Sequence, residues 1–197
     1  MKKTTLALLL VATALCSNAL ASSINFDDLS GGPIANGYKG FSWQNFLALD
    51  TSGYQDSGYG NGVTSGTTVA SNIQGDDASF SRAALFNFGG AFLTAAWRNN
   101  LQVEVSGFLN GVKKYGTSLT LGTDEATYFA FNYLGVDQVL FHSAGGVPAG
   151  YGSSGLSIAV DDITYTNAKA TPIPGAIWLL GSGLAGILGL RRRFSVN

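Results

Sequence analysis

Cysteine is nearly absent: the 197-residue chain has one, Cys16, inside an N-terminal apolar stretch that reads as a removable leader. A mature chain without it has neither disulfides nor thiol chemistry. Histidine is as scarce. His142 stands alone, so zinc sites built on clustered His and Cys are excluded and nucleophile-and-base schemes lack a partner. No Gly-x-Ser-x-Gly elbow occurs. The only glutamates are Glu104 and Glu125; Glu104 reads as the exposed face of a regular strand and Asp124-Glu125 as a turn, which is thin support for a carboxylate pair. These shortages point away from an enzyme.

Positive charge is also lacking where a partner would meet it. Between residues 22 and 170 six basic side chains (Lys39, Arg82, Arg98, Lys113, Lys114, Lys169) stand against twelve carboxylates, a net charge of −6. That excludes nucleic-acid binding, which needs a basic footprint. The overall charge of −1 hides this because the other five basic residues sit at the two ends of the chain. Residues 22–170 suit one domain with a sizeable core.

Amphipathic helices are missing as well, and what is present is strand periodicity. Leu101-Gln102-Val103-Glu104-Val105-Ser106 alternates strictly, the mark of a strand with one buried face. Asn110-Gly111 supplies the positive φ angles of a tight hairpin, so residues 112–121 should return antiparallel beside it. Residues 126–133, 136–142 and 156–165 continue the spacing of an antiparallel β-sandwich. Residues 24–29 and 37–50 are further strand candidates. Residues 51–77, rich in Gly, Ser, Thr, Asn and Tyr, read as loops with one short strand near residues 67–70. In the closing strand the apolar parity switches at Asp161-Asp162, as a β-bulge makes it do.

The two ends differ from the middle. Lys2-Lys3, the apolar stretch Leu6 to Cys16, and Ala19-Leu20-Ala21 form the three parts of a secretory signal peptide, residues 1–21, with cleavage after Ala21. Thr13-Ala14-Leu15 before Cys16 do not make a lipobox. At the other end, residues 171–197 hold Pro172-Ile173-Pro174-Gly175, an uncharged run to Leu190, and Arg191-Arg192-Arg193. As a helix at about 1.5 Å per residue the run 173–190 reaches about 27 Å, enough for a bilayer core. The arginines set its direction, cytoplasmic side last, with Trp178 near the outer interface. Gly175, Gly181, Gly183, Gly186 and Gly189 suit a membrane helix better than a soluble one, where each costs about 1 kcal/mol.

This order of proline motif, glycine-bearing apolar span and terminal basic cluster resembles the PEP-CTERM sorting signal of Gram-negative bacteria, in a Pro-Ile-Pro (VPLPA-like) variant with Ile173 where a glutamate is usual. The resemblance implies processing by an exosortase, a membrane-embedded enzyme, and passage from an inner-membrane tether to the cell surface or extracellular matrix. Within the domain, Phe26-Asp27-Asp28-Leu29, residues 37–43, Asn61-Gly62-Val63 and residues 158–165 resemble the jelly-roll, carbohydrate-binding-module-like ectodomains of such proteins. In those modules a calcium ion often ties the first and last strands. Asp27, Asp28, Asp161 and Asp162 supply hard oxygen ligands for one.

The expectation is therefore an exported all-β surface protein with an adhesive or structural role involving exopolysaccharide. Trp43, Tyr54, Tyr59, Trp97 and Tyr151 are the candidate glycan contacts, since aromatic faces stack on pyranose rings while loop amides and hydroxyls orient them. The alternatives are a carbohydrate-binding module specific for one glycan, and a cryptic glycan hydrolase using Glu104.

Overall fold

A computed structural model describes residues 21–168. They form ten strands: β1 (Ser22–Ile24), β2 (Gly32–Pro33), β3 (Ser42–Gln44), β4 (Phe46–Asp50), β5 (Thr68–Asn72), β6 (Ala78–Ala95), β7 (Arg98–Leu109), β8 (Val112–Leu121), β9 (Thr127–Pro148) and β10 (Ile158–Asn167), with one short α-helical turn, α1 (Gly58–Asn61), and three 3-10 turns. Every strand pair is antiparallel. The hydrogen-bonded path runs β2-β4-β5-β10-β6-β9-β7-β8, with β1 on β10 and β3 on β6. The all-β sandwich expected from the alternation is what the chain forms. No helix among the described residues is long and apolar enough to cross a membrane. Ala19, Pro172 to Gly175, the apolar run to Leu190 and Arg191 to Arg193 lie outside the described residues.

Two long strands make the sandwich. Residues 78–81 of β6 pair with 138–141 of β9, and residues 86–93 pair with 127–136, with the register shifting between the two blocks. One block continues through β7 to β8 and carries β3; the other carries β10, and through it β1, β5 and β4. Each long strand thus serves both layers by bending between them. Side chains close the space inside. The Tyr133 hydroxyl donates to the Val105 carbonyl at 2.8 Å and accepts from the Thr117 hydroxyl at 2.7 Å, and its ring stacks on Tyr115 at 4.8 Å.

The core is phenylalanine-rich. Phe26, Phe41, Phe46, Phe80, Phe86, Phe88 and Phe141 are fully buried, and burying each such side chain contributes about 1.5–3 kcal/mol. Phe80 sits at the centre, within 5.4–6.3 Å of the rings of Phe41, Trp43, Phe86, Phe88 and Phe141. Those are edge and tilted geometries favoured by the ring quadrupole.

Several local expectations can be compared directly. Asn110 and Gly111 have φ of 52° and 74°, the pair of left-handed residues a two-residue hairpin needs, and β8 returns along β7. The parity switch is real: Asp162 has φ 46°, and the β10 to β6 register shifts between Asp161 and Thr164. The first strand is shorter than residues 24–29 suggested. Phe26 turns left-handed at φ 65° and its carbonyl accepts from Leu29 N at 3.0 Å, so Asp27-Asp28 form a turn. Residues 126–133 and 136–142 are one strand, β9, with Gly135 at φ 63° inside it. The 18-residue β6 was not anticipated.

The bulge also places a carboxylate inside. Asp161 is fully buried and accepts from Thr64 N at 2.8 Å, Ser65 N at 3.1 Å, Thr64 Oγ1 at 2.9 Å and Asp162 N at 2.7 Å. Burial raises its pKa above the ordinary carboxylate value of 3.8, and the N–H donors oppose the shift. A raised carboxylate binds its proton more tightly in the folded chain, so its contribution is largest at low pH and is lost as pH rises from 3.8 through the raised pKa. Thermal melts of the protein and of Asp161→Asn across that range should show the native protein losing ground to the variant as pH rises. A change in the opposite direction would mean that the donors outweigh burial.

Candidate functional site

Beyond the start of β10, four of the five aromatic candidates meet. Tyr54, Trp97 and Tyr151 line an open cleft of about 440 Å³, with Ser52, Gly53, Gln55, Asp56 and Ser57 completing it. Tyr54 is 40% exposed, whereas Trp97 and Tyr151 are half-buried. Tyr59 lies beneath as a support. It is 7% exposed, its ring sits edge-on at 5.6 Å from Tyr54 and 5.4 Å from Trp97, and its hydroxyl shares a 2.9 Å hydrogen bond with Ser71 Oγ. Trp43 does not join them. It is 6% exposed in the core, packed on Phe26, Phe46 and Phe80, with its indole N–H donating to the Tyr38 carbonyl at 3.0 Å.

One wall is the segment after β4. Asp50 caps it by accepting from Ser52 N at 2.9 Å. Thr51 donates twice to the Thr67 carbonyl, from its N–H at 2.9 Å and its hydroxyl at 3.0 Å. Gln55 Nε2 donates back to the Thr51 carbonyl at 2.9 Å, and Ser57 Oγ donates to the Tyr54 carbonyl at 2.7 Å. The wall is therefore tied by its own short polar side chains, the expected use of Ser, Thr and Asp in turns. Next, α1 docks on the end of β6, where Gly58 N donates to the Ala96 carbonyl at 3.0 Å.

The opposite wall is the glycine-rich segment that carries Tyr151 between Gly150 at φ 93° and Gly152 at φ 81°. Arg98 fastens it. Its Nε donates to the Gly145 carbonyl, Nη1 to Ser154 and Nη2 to Gly146, each at 2.8 Å. Ala149 N donates to the Trp97 carbonyl and Ala96 N to the Ser157 carbonyl, both at 2.9 Å. A rigid planar fork spanning three carbonyls is something lysine cannot reproduce. Neither Arg98 nor the rim residues Gln55 and Asp56 were singled out from the sequence; the available signal was a charged residue directly after Trp97 and a glycine-rich segment with no other anchor.

The aspartates expected near the first and last strands divide. β1 and β10 are indeed neighbours. Asp161 and Asp162 hold Thr64 and Ser65, with the single Thr64 hydroxyl proton shared between Asp161 Oδ2 and Asp162 Oδ2, each 2.9 Å from Oγ1. Asp27 Oδ1 accepts from Thr67 N at 3.2 Å and Thr68 N at 3.4 Å. Asp28 turns away to Lys39 Nζ at 2.7 Å and the Tyr38 hydroxyl at 2.6 Å, which hold its carboxyl below the ordinary range. Among the described residues no three His, Cys, Asp or Glu side chains gather as a metal site.

Glu104 lies elsewhere, on the outward face of β7. Lys113 pairs with it and lowers its pKa. His142 stands opposite it on β9 and bonds Asp77 Oδ1 through Nδ1 at 2.6 Å. All four are solvent-exposed.

No family model matches the chain, and no curated protein matches it in sequence. Solved structures with a similar arrangement include a family 29 carbohydrate binding module, CBM29-2, at 14% identity and TM-score 0.41, covering 79% of this chain and 99% of that one. TmCBM61, solved in complex with beta-1,4-galactotriose, is similar at 10% identity and TM-score 0.34, covering 74% of this chain and 99% of that one. The M60 catalytic domain with the CBM51-1 and CBM51-2 domains of Clostridium perfringens ZmpB is similar at 10% identity and TM-score 0.32, covering 76% and 20% respectively.

Proposed function

We propose that the domain binds polysaccharide in the Tyr54, Trp97 and Tyr151 cleft, and that the chain is an exported surface or matrix protein with an adhesive or structural role. The observation that carries the binding reading is the convergence of three accessible aromatic side chains in one open cleft with amide, hydroxyl and carboxylate groups on its rim. Aromatic faces desolvate against the apolar side of a pyranose while the rim groups fix its hydroxyls. Because both walls are held by internal hydrogen bonds, little ordering cost falls on binding. The charged row on β7 and β9 faces solvent away from the cleft, which favours binding over hydrolysis at this site.

The geometry suits presentation. The cleft lies near the start of β10, and the other end of that strand, about 30 Å away, pairs with β1. An anchor or sorting tail would follow residue 168, at the end of β10 away from the cleft. Export and processing are tested together by the mass of the protein recovered from the cell surface, which should begin at Ser22 and end near Pro172 to Gly175. An intact chain confined to membrane fractions would make it a plain anchored ectodomain.

Trp97→Ala tests the cleft. On a glycan array the protein should show saturable binding that Trp97→Ala weakens about two- to tenfold, since one aromatic stacking contact is worth about 0.5–1.5 kcal/mol. Trp43→Phe should leave it unchanged, because that side chain packs in the core. Binding that survives Trp97→Ala and Tyr151→Ala together would move the site elsewhere.

A further inference from the structure

The cleft has a charge as well as a shape. Among the described residues, Asp56 is the only carboxylate that lines it, and no lysine or arginine does. Asp56 is exposed and takes part in no ion pair among the described residues. Arg98, which follows the cleft residue Trp97 in the chain, is turned to the carbonyls of Gly145, Gly146 and Ser154. The rings of Tyr54, Trp97 and Tyr151, whose faces are electron-rich, line the same cleft as Asp56.

Three ligand classes can be weighed against this. An acidic glycan meets an unneutralised carboxylate and a domain of net charge −6, both repulsive. A neutral glycan uses the rings and treats Asp56 as one more acceptor. A sugar with a protonated amine satisfies everything present: an ammonium pairs with Asp56 in a charge-assisted hydrogen bond and lies over aromatic faces that attract cations. The acidic field of the domain also draws such a polymer in.

We infer that the cleft is selective for amino-sugar polysaccharide with free amines, a refinement that rests on the polysaccharide reading of the same site. The discriminating groups are Asp56 for the ammonium and Tyr54, Trp97 and Tyr151 for the ring.

Calorimetric titration of the protein with matched β-linked oligomers of glucosamine, N-acetylglucosamine and glucose separates the possibilities. At about pH 5.5, where the sugar amines are protonated, the glucosamine oligomer should bind about tenfold more tightly than the other two, the size of one charge-assisted contact. The preference should shrink as salt is added. Asp56→Asn should bring the affinities within about twofold of one another, and Asp56→Glu should keep the order. Equal or weaker binding of the glucosamine oligomer, or a preference that persists in Asp56→Asn, overturns the amine selectivity and leaves the polysaccharide cleft standing. Binding of none of the three, together with a blank glycan array, overturns the polysaccharide reading itself.

Discussion

Phe80→Ala should lower the unfolding free energy by about 3–5 kcal/mol, the range for deleting a buried phenylalanine. The side chain is fully buried and touches rings from both layers: Phe41 and Trp43 from the segment before β4, Phe86 and Phe88 further along β6, and Phe141 from β9. These neighbours are tied to separate strands, so they cannot collapse together into the space left behind, and the cavity term persists. A shift of about 10 °C in melting temperature is expected for a chain of this size. Leu134→Ser, at a position 63% exposed, should stay within about 0.5 kcal/mol. A loss under about 1 kcal/mol for Phe80→Ala would mean that the two layers repack freely, and the described core would be wrong.

Gly58→Ala should damage both stability and binding. A Cβ built at Gly58 falls 1.8 Å from the Ala95 carbonyl oxygen, 2.8 Å from its carbon and 3.0 Å from Ala96 Cα. All three are backbone atoms at the end of β6, so no side-chain rotation relieves the overlap. The α1 turn must lift away, breaking the Gly58 N to Ala96 carbonyl hydrogen bond and moving Tyr59 off Trp97 and Ser71. Overpacking of this kind costs about 1–3 kcal/mol, and the upper end applies because the obstacle is main chain. Since Tyr54 and Trp97 both lean on Tyr59, glycan affinity should fall with stability. Gly53→Ala, where nothing lies within 4 Å, is the matched control for stability in the same wall. Calorimetric melting and glycan titration of the two variants would separate them; equal behaviour would show that α1 does not depend on close approach.

Much of the fold was legible because it is local. The alternation over residues 101–106, the Asn110-Gly111 turn and the parity switch at Asp161-Asp162 are set by side-chain period and by the residues that tolerate positive φ, and each appears where the spacing put it. β6 was illegible for a physical reason. It runs through both layers, so its buried side changes along its length: Phe80 is inward in one layer and Phe86, Phe88 and Leu93 in the other, with exposed residues 83–85 between them and Gly89-Gly90 interrupting the pattern. A strand that bends shows no single period. The same bend joins two expected strands into β9.

The binding site divides in the same way. Five aromatic residues were candidates on type and loop context alone, and nothing in the sequence distinguished Trp43 from Trp97. Their fates depend on contacts far away in the chain: Trp43 meets Phe80 across the β3 to β6 pairing, while Trp97 is covered on one side by Tyr59 and left open on the other beside Tyr54 and Tyr151. The Arg98 fork is likewise visible only once residues 145, 146 and 154 are brought to it.

By itself the sequence determined the strand class, the hairpin, the bulge, the scarcity of catalytic and metal-ligating side chains, and the acidic charge of the domain, because these follow from residue type and nearest-neighbour spacing. Only the tertiary structure decided which aromatics are core and which are exposed, which aspartates hold backbone and which is left unpaired at a cleft, and what fastens the loop that carries Tyr151. Those outcomes depend on close approach between segments tens of residues apart, and burial is a property of the packed chain rather than of any stretch of it.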